Sequence, residues 1–154
     1  MGFVHLHLHT QYSLLDGANK VSNLMPRIAE YGMPAVAMTD HGNMFGTIDF
    51  YRTAASHGVK PIIGCEVYAA QGSRHDRGPA ERSPYHMTVL ARNNTGYHNL
   101  IKLVTKSNTE GFYYRPRIDE ELLTELKDDL VCIIPSFAGE VAQALKDSNP
   151  EKAA

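Results

Sequence analysis

Hydrophobic and polar positions change period repeatedly along this chain, and each change predicts an element. Residues 4–8 alternate with period two. Val4, Leu6 and Leu8 fall on one face and His5, His7 and the following His9 on the other, which predicts a strand. Val21, Leu24, Met25, Ile28 and Ala29 recur at helical spacing, and Gly32 stops that helix. A short apolar strand is predicted over 35–39, a helix over 48–56 stopped by Gly58, and a strand over 61–70. The polar, Gly- and Pro-containing stretch 71–83 reads as a mobile loop. A strand at 86–91 and a helix at 96–107 follow, then an aromatic and basic connection over 108–118. A short helix at 119–127, a strand at 130–135 and a helix at 139–146 complete the pattern.

Strands alternating with helices predict an α/β fold with parallel pairing through right-handed crossovers, as an open doubly wound sheet or a barrel. Two units share a plan: Gly32 to Asp40 and Gly58 to Glu66 each run from a helix-stopping glycine through a proline and a strand to a carboxylate. His41 follows Asp40 directly. Polar residues thus gather at the C-terminal ends of successive strands, where α/β proteins build their sites.

Composition narrows the function classes. The chain of 154 residues suits one domain, and its apolar fraction of 43% supports a core. A formal charge of −2 gives no electrostatic reason for this segment to grip nucleic acid alone. There is no apolar run long enough to span a membrane. The start lacks a basic region followed by an apolar one, so no export signal and a cytoplasmic location are expected. Cys65 and Cys132 lie in apolar runs and read as reduced, buried thiols.

The strand-end residues His7, His9, Asp40, His41, Glu66 and His86 can converge if their strands are neighbours, since adjacent strands lie ~4.8 Å apart. Imidazoles and carboxylates without thiolate suggest a di- or trinuclear centre of Zn, Mn or Fe. Such centres activate water and clamp phosphoester oxygens. The histidines do not all belong to it. His57 and His98 read as hydrogen-bonded core residues, and His75 as a solvated loop residue. His5 shares the face of His7 and His9 and fits a place behind the ligands as well as among them.

The ordered motifs carry a resemblance. His7-Leu-His9-Thr-Gln-Tyr-Ser13-Leu-Leu-Asp16-Gly17, Thr39-Asp40-His41-Gly42 and Pro61-Ile-Ile-Gly-Cys-Glu66 resemble the first three motifs of the PHP (polymerase and histidinol phosphatase) superfamily. The stretch Gly32–Gly46, Lys60–Glu66, His86 with Leu90-Ala-Arg-Asn93, and Glu110-Gly-Phe-Tyr-Tyr-Arg-Pro-Arg-Ile-Asp119 look like the N-terminal PHP domain of the bacterial replicative (C-family) DNA polymerase III alpha subunits. The resemblance implies a distorted (β/α)7 barrel, here reaching about five strands. It implies His7, His9, Asp16, His41, Glu66 and His86 as ligands of two to three Zn, Mn or Fe ions, with His5 and Asp40 supporting them. For a parent protein it implies a DNA-directed DNA polymerase whose separate palm uses magnesium. Primer–template DNA, deoxynucleotides, a proofreading subunit, a sliding clamp and a clamp loader are the implied partners.

Two departures from the family pattern stand out. The sequence stops at Ala154, so residues 1–154 are expected to be a partial PHP domain, with a further Asp and His and the polymerase regions lying beyond. Ser136 stands where a thiol ligand often sits, and a neutral hydroxyl is the poorer zinc ligand. The implied centre either hydrolyses phosphoesters, as a 3′–5′ proofreading exonuclease would, or stabilises a docking platform. The alternative is a free-standing PHP-family phosphoesterase acting on a small phosphorylated metabolite. Arg115 and Arg117 flank Pro116 beside Phe112, Tyr113 and Tyr114, a composition suited either to nucleic acid or to an interdomain seam.

Overall fold

A computed structural model describes residues 2–135 and 139–148. Helices α1 (Val21–Glu30) and α2 (Thr47–Ser56) flank strand β1 (Ala35–Met38) in sequence. Strand β2 (Lys60–Ala69), strand β3 (Tyr85–Ala91) and helix α3 (Asn94–Thr109) follow. The short strands β4 (Phe112–Tyr113) and β5 (Arg115–Ile118), helix α4 (Glu120–Leu126), strand β6 (Leu130–Ile133) and helix α5 (Glu140–Lys146) complete the described chain. Helix starts follow local chemistry. Asn93 accepts from the Gly96 N–H and Asp119 from the Leu122 N–H, each satisfying a helix-end donor. In α1 the periodic Val21, Met25 and Ile28 are the buried residues, as the pattern predicts.

β2 is the axis of the sheet. One edge pairs in parallel with β1, then with the bridge residue His41, then with β5. The other edge pairs antiparallel with β3, which in turn pairs antiparallel with β6. The fold is α/β, but the sheet is mixed rather than parallel. The reason lies between β2 and β3. That connection holds no α-helix to act as a crossover, so the chain turns back and β3 returns antiparallel. The connection 108–118 also differs from expectation, because Phe112–Tyr113 and Arg115–Ile118 form a hairpin. Two apolar clusters fill the interior. One joins α1 and α2 to β1 (Met25, Val36, Met38, Phe50). The other joins α3 and α4 to β2 and β3 (Cys65, Val89, Leu100, Leu122).

The opening segment 4–8 is not a regular strand. His5 makes an isolated bridge to Val36. The N–H groups of Ala37 and Thr39, two residues apart, donate to the carbonyls of His5 and Leu8, three residues apart. The segment therefore carries one excess residue, in the manner of a bulge, and its simple alternation breaks between His5 and Leu8.

The polar stretch 71–83 is tied down rather than mobile. Arg117 is fully buried, donating to Glu81 Oε2 at 2.8 Å and to the carbonyls of Gly111, Arg74 and Asp76. Its guanidinium is thereby spent inside the fold and is not offered to nucleic acid or to another domain. Arg74 likewise spans Asp119, Glu110 and Glu121. His57 and His98 are exposed rather than in the core, and Cys132 is exposed on β6 while Cys65 is buried. The apolar run around Cys132 and the usual burial of a lone histidine suggested otherwise, but the end of α2, α3 and β6 turn these positions outward.

Removing one partner of the buried Arg117–Glu81 pair leaves the other uncompensated. Arg117→Met is expected to cost about 3–5 kcal/mol in urea unfolding, and Arg117→Lys to rescue little because an ammonium lacks the guanidinium fork. Burial opposes the charge on Asp119, but hydrogen bonds from Arg74 and from the Leu122 N–H prevail and lower its pKa. The folded state then binds fewer protons than the unfolded one. Asp119 contributes stability above the ordinary carboxyl range, and that contribution disappears as pH falls through the depressed folded value. Unfolding measured against pH should show a shallower acid loss for Asp119→Asn than for the parent.

Candidate metal centre

The site forms where the segment after the His5 bridge crosses the end of β1 and β2. Asp40, fully buried after β1, accepts the Thr10 N–H at 2.6 Å and the Thr10 hydroxyl at 2.7 Å. Hydrogen bonds to a buried carboxylate contribute roughly 1.5–3 kcal/mol each, so this clamp fixes the chain beside His9. Asp40 thereby holds the site from behind. From Thr10 the chain closes a tight turn in which the Ser13 carbonyl accepts from the Asp16 and Gly17 N–H groups. A Cβ on Gly17 would sit 1.7 Å from the Thr10 carbonyl oxygen, so the turn admits only glycine. Gly42, at φ +62°, lets the chain pass Pro116, and a Cβ there would meet Pro116 Cγ at 2.7 Å.

Glu66 is the hub. It lies on β2 and is buried. His7 Nε2 and His9 Nε2 meet its Oε2 at 2.5 and 2.7 Å, and His86 Nδ1 meets its Oε1 at 2.6 Å. His86 opens β3, but antiparallel pairing brings that start to the same sheet end, opposite Tyr68. His41 Nε2 lies 2.8 Å from Asp16 Oδ2, and its Nδ1 lies 3.7 Å from Glu66 Oε1. His7, His9, Asp16, His41, Glu66 and His86 are thus brought together. His5 is not among them, and its ring packs edge-on against Phe3. Ser136 lies outside the described residues.

The electrostatics follow from this packing. Burial opposes ionisation of Glu66, but the hydrogen bonds from His86, His9 and His7 outweigh it and hold the carboxyl far below its usual range. The Glu66 hydrogen bond raises the pKa of His9 against the opposing effect of burial. Burial lowers that of His41, favouring neutral imidazole. A neutral His41 whose Nε2–H donates to Asp16 carries its lone pair on Nδ1. That nitrogen is buried and has no hydrogen-bond partner among the described residues.

These features fit a cation better than a proton network. The His7 and His9 Nε2 atoms lie 3.1 Å apart and face the same carboxylate oxygen. Overlapping triplets, His7–His9–Glu66, His9–Asp16–His41 and His41–Glu66–His86, each place ligand atoms within 4.8 Å of one another. The donors are nitrogen and oxygen, suited to borderline divalent metals. Cys65 does not join them. Its thiol donates to the Asp40 carbonyl, and burial pushes its pKa up to about 12.

Three contributors were not singled out by the histidine pattern. Ser13, buried, accepts the His41 N–H at 2.9 Å and touches His9 Nδ1 at 3.3 Å. Thr10 supplies the Asp40 clamp. Tyr68 stacks on His41, with centroids 5.7 Å apart, and meets His86 edge-on at 5.0 Å. Only the β2 register, two residues past Glu66 on the same face, could have pointed to Tyr68. Arg115 is exposed and lies over the Tyr68 ring at 5.6 Å. Beside the cluster opens a cleft of about 680 Å³, lined by Asp16, His41, Tyr68, His86, Arg82 and the β4–β5 hairpin among others.

Known proteins share this sequence pattern. The chain is 45% identical over 99% of its length to a DNA polymerase III subunit alpha of Treponema pallidum, and 48% identical over 90% to that of Campylobacter jejuni. It spans only 13% and 12% of those two proteins. Among solved structures, an amidohydrolase from Chromobacterium violaceum superposes with a TM-score of 0.50 at 23% identity, covering 69% of this chain and 33% of that one, a likeness of fold alone. The PHP domain model matches residues 5–154, nearly the whole chain, and the chain therefore belongs to the PHP domain family.

Proposed function

We propose that this chain is the PHP region of a bacterial DNA polymerase III alpha subunit, and that its histidine–carboxylate cluster is a hydrolytic phosphoesterase centre. Similarity to those subunits over nearly all of the chain supports the first part. A DNA-directed DNA polymerase activity, with a magnesium palm, primer–template DNA and replisome partners in the bacterial cytoplasm, then belongs to the parent protein. No helix among the described residues is long and apolar enough to cross a membrane.

The observation that carries the second part is the cleft of about 680 Å³ against the cluster. Structural metal sites are closed by their ligands, whereas catalytic ones keep an open side. His7, His9, Asp16, His41, Glu66 and His86 would hold two to three Zn, Mn or Fe ions. The bound ions would supply Lewis-acid activation of water and of the phosphoryl oxygens. The protein fixes the donors. Glu66 gathers imidazoles from both directions, and Asp16 keeps His41 in the tautomer whose Nδ1 is free to ligate. Thr10, Asp40 and Ser13 hold the first-motif turn. A mismatched 3′ nucleotide of DNA is the substrate that joins such a centre to a polymerase.

His9→Ala and Glu66→Ala should each lower metal affinity by more than the ~10–100-fold typical of losing a supporting partner, while His5→Ala leaves it unchanged. Metal analysis after dialysis reads this directly, and unchanged stoichiometry in both variants would remove them from the ligand set. Because Glu66 raises the pKa of His9, proton competition should set in above the ordinary imidazole range, and metal occupancy should fall as pH drops through it. Release of a 3′ nucleotide from a mismatched primer should stop with chelator and return with Zn or Mn. Release indifferent to chelator would reject the hydrolytic centre.

A further inference from the structure

The cleft beside the cluster is lined by two arginines, Arg82 and Arg115, and each lies over an aromatic ring rather than on a carboxylate. Arg82 sits 5.2 Å over Tyr114, and Arg115 5.6 Å over Tyr68, whose ring also stacks on His41. Other arginines of this region are consumed internally: Arg74 by Asp119, Glu110 and Glu121, and Arg117 by Glu81. In a chain of net charge −2, these two cations have no carboxylate partner among the described residues and can meet an anion at the mouth of the site.

The rings show the same bias. Tyr114 forms the tip of the β4–β5 hairpin, between the paired Tyr113 and Arg115. It holds φ +61°, a region that glycine occupies freely and an aromatic residue rarely does. It is nonetheless 61% exposed, and Phe112 beside it is 57% exposed. The ring meets Tyr113 edge-on at 4.8 Å and carries Arg82 above it, but most of its surface faces solvent at the rim of the cleft, and strained backbone of this kind clusters at functional sites. Backbone strain, exposed aromatic surface and guanidinium groups held on aromatic rings coincide on one wall, next to His86 and Asp16.

We propose, on the footing of the hydrolytic centre above, that this wall binds the end of a single-stranded nucleic acid. Tyr114 and Phe112 stack the terminal base, and Arg115 and Arg82 hold the adjoining phosphates. Stacking is tolerant of sequence, and the guanidinium groups read only charge, so the site accepts any base. The cleft volume of about 680 Å³ falls within the ~300–1,000 Å³ that accepts small ligands, a size suited to one unpaired end.

The test is fluorescence anisotropy of a labelled oligothymidylate on the full chain loaded with Zn or Mn, with metal analysis on each sample. Arg115→Met should weaken binding about tenfold, and should reduce the steepness of log K against log salt by about 0.7, one phosphate on a single strand. Arg82→Met should behave likewise, and Lys102→Met, on the exposed side of α3, should change neither. Tyr114→Gly should weaken binding at least about fivefold while its melting temperature stays at or above that of the parent. That divergence separates a ligand contact from a structural one. Binding by the arginine and tyrosine variants equal to the parent overturns the proposal, as does loss of metal from Arg115→Met in step with its loss of binding. Should the parent retain no metal yet bind the oligonucleotide through these residues, the wall stands and the hydrolytic centre fails. Competition by inorganic phosphate that is undiminished in Tyr114→Gly, with unchanged oligonucleotide affinity, would reduce the wall to an anion site and sink the base platform.

Discussion

A buried carboxylate bonded to three imidazoles is the constraint around which this protein is arranged. Glu66 cannot keep its charge inside the fold without compensation, and among the described residues no lysine or arginine supplies it. Its partners come from three places in the chain: the opening segment, the turn after β1 and the start of β3. Each approach requires its own backbone device. The opening segment needs an extra residue and a threonine clamp. The turn after β1 needs a glycine in a left-handed conformation. The third approach needs β3 to return antiparallel, so that its first residues rather than its last reach the site.

β2 unites these devices because both of its edges are in use. β1, His41 and β5 succeed one another along one edge, and the last of these carries the Arg117 that ties down the 71–83 stretch. The site and the arginine–carboxylate network are therefore mechanically continuous. The hairpin that presents Arg115 and Tyr114 is anchored through Arg117 to the same strand that carries Glu66. The cleft wall meets the cluster through Tyr68, which carries Arg115 and stacks on His41.

Much of this was legible in the chain. Helices α1 and α2 follow from apolar spacing and from Gly32 and Gly58, and the convergence of His7, His9, His41, Glu66 and His86 follows from polar residues at strand ends. What escaped has physical reasons. Strand direction is set by the connection, and the 71–83 stretch looks the same in sequence whether it is free or bound. The arginine bonds that tie it to the rest of the chain span 33 or more residues, beyond any local pattern. Arg115 and Arg117 are indistinguishable by composition and, two apart on β5, even share a face, yet Arg115 beside the hairpin turn stays in solvent while Arg117, opposite Tyr68 of β2, is enclosed by the 71–83 stretch. Cys132 shows the opposite error, since an apolar run does not fix which way a side chain points, and His57 and His98 show that a lone histidine carries no local mark of burial.

The Thr10–Asp40 clamp has a consequence for how the opening segment finds its place. The repeat His-Leu-His-Leu-His is nearly degenerate under a slip of two residues, since His5 and His7 would then present the same chemistry that His7 and His9 present now. Nothing in the repeat itself can tell those alignments apart. The discrimination comes from the first non-repeating residue, Thr10, whose amide and hydroxyl both engage the buried Asp40 and which no slipped alignment can replace with an equivalent. A buried hydroxyl–carboxylate pair outside the cluster thus acts as the index mark that decides which histidines reach Glu66.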